Sequence, residues 1–505
     1  MQIIFSCGFS VNSIAPLRKN IHKKEKKVFR LTDLNVLEGK KHIHFIGIGG
    51  SGMYPLAQIL HSKGYCLTGS DNNETETLQA VRDMGIEVCP LGQRAENIEG
   101  ADLIVHTAAI MEDNPELIAA KNSGVPVLER SELLGIVTSW YDNAVCVSGT
   151  HGKTTATSML TQIFVDNGVD ISAVIGGKLP VIKGSGISGK SDIMVCESCE
   201  FKDTFLKLYP DISVILNIDA DHLDYFGTLE NIIKSFREFS QNTKKAIIVN
   251  GDDKNSMKAI DGIEGKEIIR FGFDSGNDFY ADNITLSGMV TEFDVHHDGK
   301  PLGRVTLNVA GMHNVLNATA AIAAAQYLGV PFEKIKSALF NFRGAGRRFE
   351  KIGEVGGVTI VDDYAHHPAE IEVTLKAAKT LGYKRVWAVF QPFTFSRTAI
   401  LLAEFASALS IADKVVLTEI MGSREKNTYH IYARDLGEKI DGAYWIDNLR
   451  QGESEKEYHD RNFEEIADYL CENAEEGDLI ITLGCGDVYK VAKDIYRKLL
   501  SEGEK

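Results

Sequence analysis

From His42 onward, short apolar runs alternate with stretches of helical period. His42-Ile43-His44-Phe45-Ile46 predicts a strand, Met53 to His61 a helix, and Tyr65 to Asp71 a second strand ending in an acid. Further on, Ala144 to Ser148 predicts a strand followed by a helix through Phe164. Ile193–Cys196, Val214–Asn217 and Ala246–Val249 read as further strands. Met312 to Leu328 is alanine-rich and predicts a stable helix. After Phe342–Arg348 come strand-like runs at Val358–Val361, Val386–Val389, Lys414–Leu417 and Leu479–Thr482. Strands alternating with helices imply mostly parallel sheets covered on both faces, an α/β architecture. The pattern breaks into an extension at 1–40 and three domains at 41–141, 142–343 and 344–505, the first and last Rossmann-like.

Composition narrows the class. The 505 residues are 44% hydrophobic and 25% charged, an ordinary globular mix. A net charge of −16 argues against a protein that coats nucleic acid. No apolar run approaches the roughly 18 residues that span a bilayer, so no membrane insertion is expected. Met1 to Phe9 is mildly apolar and Arg18 to Arg30 is basic, the reverse of a secretory signal. That extension reads as a disordered tail or an over-extended start. Eight scattered cysteines build no disulfide framework, and Cys196 and Cys199 lack a second C-x-x-C pair. A reducing cytosol fits them.

The chemistry concentrates in glycine turns and at strand ends. Gly47-Ile48-Gly49-Gly50-Ser51-Gly52 satisfies G-x-G-x-x-G between a strand and a helix, with Asp71 ending the next strand. Alone, that suggests a dinucleotide pyrophosphate at a helix N-terminus. Gly149-Thr150-His151-Gly152-Lys153-Thr154-Thr155 is stronger, a P-loop shortened between its glycines. Its N–H groups can surround phosphate oxygens, Lys153 can neutralise the β/γ-phosphates, and the Thr154 hydroxyl can ligate Mg²⁺.

Other candidates follow in order. Glu197 ends a strand and suits Mg²⁺, whereas Glu200 and Asp203 read as surface acids by default. In Asn217–His222, His222 could bind a second ion with Asp221 orienting it, or be structural. His313 and Asn317 share a helix face beside Asn314, as a ligand edge or as caps. Arg343, Arg347 and Arg348 could clamp an anion at the domain junction, or form a solvated basic turn. Asp362–Pro368 reads as a site, and Arg397 within Gln391–Thr398 offers a guanidinium to a substrate carboxylate. Gly484–Asp487 reads as a strand-to-helix turn.

In this order, the motifs resemble those of the Mur ligases, the ATP-dependent amide-forming enzymes of peptidoglycan precursor synthesis. The resemblance covers residues 41–505. It implies that Gly47, Gly49, Gly50, Ser51 and Gly52 hold the UDP part of a nucleotide sugar, with Asp71 at the uridine end and His313 contributing. It implies ATP at Gly149, Thr150, His151, Gly152, Lys153, Thr154 and Thr155, with Asn314, Asn317, Arg348 and Asp363. Thr154 and Glu197 would hold one Mg²⁺ and His222 a second. Tyr364, His366 and Arg397 would surround the amino acid, and Lys153, His222, Arg348 and His366 would be catalytic. The substrates it implies are UDP-N-acetylmuramate and L-alanine, joined through an acyl phosphate by a cytoplasmic monomer or homodimer without nucleic acid. Two alternatives compete. A recycling ligase would add a tripeptide, against which Arg397 in its Gln-Pro-Phe setting speaks. A non-catalytic nucleotide-sugar sensor need not keep Lys153, Glu197 and His222 together.

Overall fold

The computed structural model describes residues 34–503 apart from 424 and 447–453, so most of the extension read at 1–40 lies outside the described residues. Among the described residues three sheets, of five, ten and six strands, carry the architecture. The first has five parallel strands centred on His42–Ile46, which pairs with Cys66–Ser70 on one side and Leu103–His106 on the other. The second has ten strands. At its parallel centre Asn143–Ser148 lies between Ile193–Glu197 and Ile212–Ile215. The third has six strands, with Asp478–Leu483 between Val358–Asp363 and Arg385–Phe390.

The predicted strands are present, their ends within two residues of the apolar runs that announced them. Their near-continuous apolar composition reflects burial on both faces, as for Asp478–Leu483 and Ala246–Asn250. The alternation missed the antiparallel edges: Phe279–Ser287, Val290–His297 and Lys300–Leu307 form a meander that widens the second sheet, Ser172–Leu179 pairs with Gly184–Ile187, and Glu350–Val355 pairs with Val358–Asp363. The alanine-rich helix is Met312–Tyr327. Its small buried side chains let it pack against the helix Lys153–Asp166, which follows the phosphate loop.

One continuous apolar core joins the first two sheets, running from Ile43 and Phe45 through Val137 and Tyr141 to Phe205 and Phe236. Contact there is close enough that a Cβ on Gly135 would stand 2.1 Å from the Lys207 carbonyl oxygen. The third sheet has its own cores on its two faces, and the Gly346 N–H reaches the Lys178 carbonyl of the second at 2.7 Å. Among the described residues no helix is long and apolar enough to cross a membrane.

Candidate active site

In each sheet the candidate residues follow the C-terminal ends of parallel strands, the edge where open α/β sheets bind ligands. Topology makes three segments neighbours in the second sheet. They are Gly149–Thr155 after the central strand, Glu197 ending one flanking strand, and Asn217–His222 after the other.

The phosphate loop is braced from the last of these. Asn217 accepts the His151 N–H on its side chain at 2.8 Å and donates back to the His151 carbonyl at 3.0 Å. Thr150 Oγ1 accepts the Asp219 N–H at 2.9 Å. Gly152 closes the loop in the left-handed region (φ 85°) and begins the helix, and a Cβ there would stand 2.5 Å from Asn317 Oδ1. Asn317 therefore borders the loop. Asn314 donates to the Ala310 carbonyl at 2.7 Å and accepts from Asn317 at 3.3 Å. His313 and Asn317 do not share an environment as their spacing suggested, since His313 is exposed and Asn317 buried.

Lys153 folds back over the loop. Its ammonium donates to the Gly149 carbonyl at 2.6 Å, the Thr150 carbonyl at 3.1 Å and Glu200 Oε2 at 2.8 Å. Burial works against its charge, but Glu200, together with Cys199 and Glu197, outweighs that and holds the pKa above the ordinary lysine value. The expectation that Glu200 is a surface acid is corrected: it is 2% exposed and is the partner of Lys153.

Thr154 Oγ1 donates to Glu197 Oε1 at 3.1 Å, and the Gly176 N–H holds Oε2 at 2.7 Å. Two oxygens bound at adjacent corners of a Mg²⁺ octahedron stand about 2.9 Å apart. The Thr154–Glu197 pair fits one edge of such an octahedron. His222 starts the short helix Leu223–Phe226, its ring 4.6 Å from that of Phe201 and its Nε2 3.8 Å from Asp221. Among the described residues no three His, Cys, Asp or Glu side chains cluster around a metal position. Mg²⁺ takes one or two carboxylates and fills its remaining positions with phosphate and water.

At the first sheet, Gly47 and Ile48 donate to the Ser70 carbonyl and anchor the glycine loop beneath the next strand end. Asp71 accepts the Gly49 N–H at 3.0 Å and the Asn73 N–H at 3.1 Å. Its carboxylate thus organises the loop, a role its strand-end position did not announce. A cavity of about 430 Å³ runs from Gly50, Ser51, Gly52 and Met53 to Gly176, Glu197 and Cys199. Arg130 lines it beside Gly52, a residue that sequence reading missed because it lies far along the chain in a helix start.

The arginine junction divides its labour. Arg343 donates to the Phe340 and Phe342 carbonyls at the end of the preceding helix and so caps that helix. Arg347 bonds Asp362 at 2.8 Å and the Gly484 and Gly486 carbonyls at 2.5 and 2.8 Å, which locks the junction to the third sheet. Arg348 faces the Tyr364 ring at 5.2 Å. Asp363 is buried and accepts the Phe349 and Ala365 N–H groups at 2.7 and 2.8 Å, so its carboxylate shapes the turn. Burial, only partly offset by Arg348, pushes its carboxyl up to about 6.

His366 and His367 point to different partners. His367 starts the helix Pro368–Lys379 as its N-cap. His366 Nδ1 lies 3.1 Å from the Tyr364 carbonyl and 3.2 Å from Glu370, both acceptors, so Nδ1 carries the proton and Nε2 keeps its lone pair. Burial lowers the His366 pKa, and Arg397 and Arg348 lower it further against Glu370. Glu370 also acts on His151 of the phosphate loop, so the second and third sheets face each other here. Arg397 sits on the helix Phe395–Ile400, and its buried Nη1 has no hydrogen-bond partner among the described residues. Cys485, whose thiol burial pushes up to about 11, lies within the field of Arg397. The turn expected at Gly484–Asp487 joins strand Asp478–Leu483 to helix Tyr489–Gly503.

Three family descriptions match this arrangement: "Mur ligase family, catalytic domain" over 42–141, "Mur ligase middle domain" over 147–325, and "Mur ligase, glutamate ligase domain" over 347–486. The chain belongs to the Mur ligase family. This Mur ligase is 42% identical over 472 residues to the UDP-N-acetylmuramate–L-alanine ligase of Caldanaerobacter subterraneus subsp. tengcongensis, covering 93% of this chain and 99% of that one. It is 45% identical over 461 residues to the enzyme of that name from Agathobacter rectalis, covering 90% and 98%. Among solved structures, the UDP-N-acetylmuramate–alanine ligase of Thermotoga maritima superposes with a TM-score of 0.76 at 27% identity, covering 92% of this Mur ligase and all of that chain. A murein peptide ligase from Psychrobacter arcticus shares the fold, with a TM-score of 0.68 at 24% identity over 91% and 98% of the two chains.

Proposed function

We propose that this Mur ligase joins L-alanine to the lactyl carboxylate of UDP-N-acetylmuramate at the expense of ATP, giving UDP-N-acetylmuramoyl-L-alanine, ADP and phosphate in the cytoplasm. The observation that carries this is the cavity of about 430 Å³ that connects the first glycine loop to Glu197. A nucleotide sugar held at Gly47–Gly52 can extend its carboxylate along that cavity toward the phosphate loop. Residues 41–141 would take the UDP-sugar, 142–343 the ATP and 344–505 the amino acid. The near-full-length likeness to relatives named for this reaction supports the same reading.

The first step brings two anions together, so neutralisation of charge governs its rate. Lys153, the loop N–H groups and Arg348 gather on the γ-phosphate. Thr154 and Glu197 would hold Mg²⁺, which when bound draws charge from the phosphate oxygens, and His222 is the ligand assigned to a second ion. The γ-phosphoryl group passes to the carboxylate and ADP remains. Arg397 then orients alanine by its carboxylate, and His366 Nε2 takes a proton from the ammonium. The free amine attacks the acyl phosphate, and phosphate leaves the tetrahedral intermediate. Apposition of the third sheet to the loop keeps water from the acyl phosphate.

Phosphate release from ATP, Mg²⁺ and UDP-N-acetylmuramate tests the reading with no acceptor, L-alanine or the tripeptide. Dependence on L-alanine is expected. Dependence on the tripeptide alone would make the protein a recycling ligase, and no release with either would leave a nucleotide-sugar sensor.

A further inference from the structure

Two consecutive residues other than glycine, Lys202 (φ 55°) and Asp203 (φ 57°), are left-handed where the chain leaves Glu200. Each is sterically disfavoured, and such a pair persists only where surrounding contacts over-determine it. Those contacts converge on Asp203. Tyr225 donates its hydroxyl to Oδ2 at 2.6 Å and Ser235 donates to Oδ1. The Asp203 N–H reaches the Glu200 carbonyl at 2.9 Å. Just beyond, Thr204 Oγ1 donates to the Cys199 carbonyl at 2.8 Å, and Phe205 is stacked on Phe239 at 4.6 Å.

The turn so formed does two things at once. It folds Glu200 inward onto Lys153, and it sets the Phe201 ring against His222 and against Tyr225, at 4.6 and 6.3 Å. Tyr225 in turn donates its N–H to the His222 carbonyl at 3.0 Å, and His222 is itself left-handed (φ 51°). Asp203 therefore bridges two separate segments. One continues from strand Ile193–Glu197, which ends in Glu197, and carries Glu200. The other follows strand Ile212–Ile215 and carries His222.

We propose that Asp203 and Tyr225 are positioning residues for phosphoryl transfer, their hydrogen bond fixing the His222 ring relative to Glu197, Glu200 and Lys153. The inference rests on the roles proposed above for Lys153, Glu197 and His222. Neither residue touches the reacting atoms; both act through the groups they hold. Loss of the bond lets the His222 turn and the Glu200 turn move independently, which loosens the geometry on which in-line transfer depends.

The test compares Tyr225→Phe, Asp203→Asn and His222→Ala, and Tyr225→Phe combined with His222→Ala. Its readouts are kcat, KM for each substrate, Mg²⁺ half-activation, thermal midpoint, and the His222 ring resonances in ¹³C-histidine-labelled protein without metal or nucleotide. Tyr225→Phe should fold, lose about tenfold in kcat, the worth of one charge-assisted hydrogen bond, and raise the Mg²⁺ half-activation. KM for alanine should not change. The His222 resonances should shift in the metal-free protein, and Tyr225→Phe should add nothing in the His222→Ala background. Should Asp203→Asn fail to fold, Tyr225→Phe, which removes a single hydroxyl, carries the test. A damaging His222→Ala beside a Tyr225→Phe enzyme with parental kcat and unmoved resonances overturns the inference alone. A silent His222→Ala overturns the His222 reading and the inference with it.

Discussion

The Lys153 ammonium lies 2.8 Å from Oε2 of Glu200, a carboxylate 2% exposed at the foot of the phosphate loop. This pair gives the loop lysine a structural duty besides its catalytic one. Lys153→Ala would strand an unpaired buried carboxylate, and removing one partner of such a pair costs about 3–5 kcal/mol. Urea unfolding should therefore find Lys153→Ala markedly less stable than the parent, with Lys153→Ala/Glu200→Ala recovering much of the loss. A single variant as stable as the parent would show that the pair is loose in solution.

Gly176 controls the proposed Mg²⁺ ligand from the neighbouring strand. A Cβ at this position would stand 2.5 and 2.6 Å from the two Glu197 carboxylate oxygens, so Gly176→Ala must push Glu197 away from Thr154. Disturbing the support of a metal ligand typically weakens metal affinity about tenfold or more. The expected result is a higher Mg²⁺ half-activation with KM for alanine unchanged and the thermal midpoint close to the parent's. An unaltered metal titration would remove Glu197 from the ion.

The parts legible in the sequence are those where one short stretch contains both the element and its chemistry. Ala144–Thr155 is such a stretch, with an apolar strand, a glycine turn and a helix start in immediate succession. Glu197 was legible for the same reason, as an acid at the end of an apolar run. Glu200 was not, because its burial depends on the left-handed pair at Lys202 and Asp203, which local propensity disfavours and long-range bonds from Tyr225 and Ser235 impose. The arginines failed differently. Their clustering is real, but Arg343 finds helix carbonyls and Arg347 finds Asp362, and only the tertiary fold separates those fates. Arg130 and Gly176 carry no local signal, since each matters through what another segment brings beside it.

Glu370 gives the third sheet a pH signature. Burial raises its carboxyl, but His366, Arg348 and the His366 N–H outweigh that and bring it from 4.5 to about 2. A carboxyl lowered on folding adds stability that is fully present above its unfolded value and is lost as pH falls through the folded one. Asp363 has the opposite sign, because its rise from 3.8 to about 6 favours folding only in acid and that advantage disappears as pH climbs past 6. Glu370→Gln should accordingly be less stable than the parent at neutral pH, by at most about 3 kcal/mol. The difference should shrink steadily as pH drops below 4.5 toward 2. Chemical denaturation across that range checks it, and a difference independent of pH would mean that Glu370 is not held as an anion.

Arg397 presents a buried guanidinium nitrogen, Nη1, with no hydrogen-bond partner among the described residues, and its charge acts on both His366 and Cys485. An N–H left without an acceptor is costly, and an α-carboxylate docked there would satisfy it with a charge-assisted bond. Arg397→Ala should therefore raise KM for L-alanine by about ten- to a hundredfold, the worth of one to two such bonds, and leave KM for ATP in place. Arg397→Lys should recover only part of the loss, because an ammonium cannot reproduce the planar fork. The folded state itself should lose little, since the substitution removes an unsatisfied group. Steady-state kinetics with each substrate varied in turn decides the matter. Equal increases in KM for alanine and ATP would place Arg397 outside the amino-acid pocket and leave Arg348, which also acts on His366, as the candidate for the carboxylate.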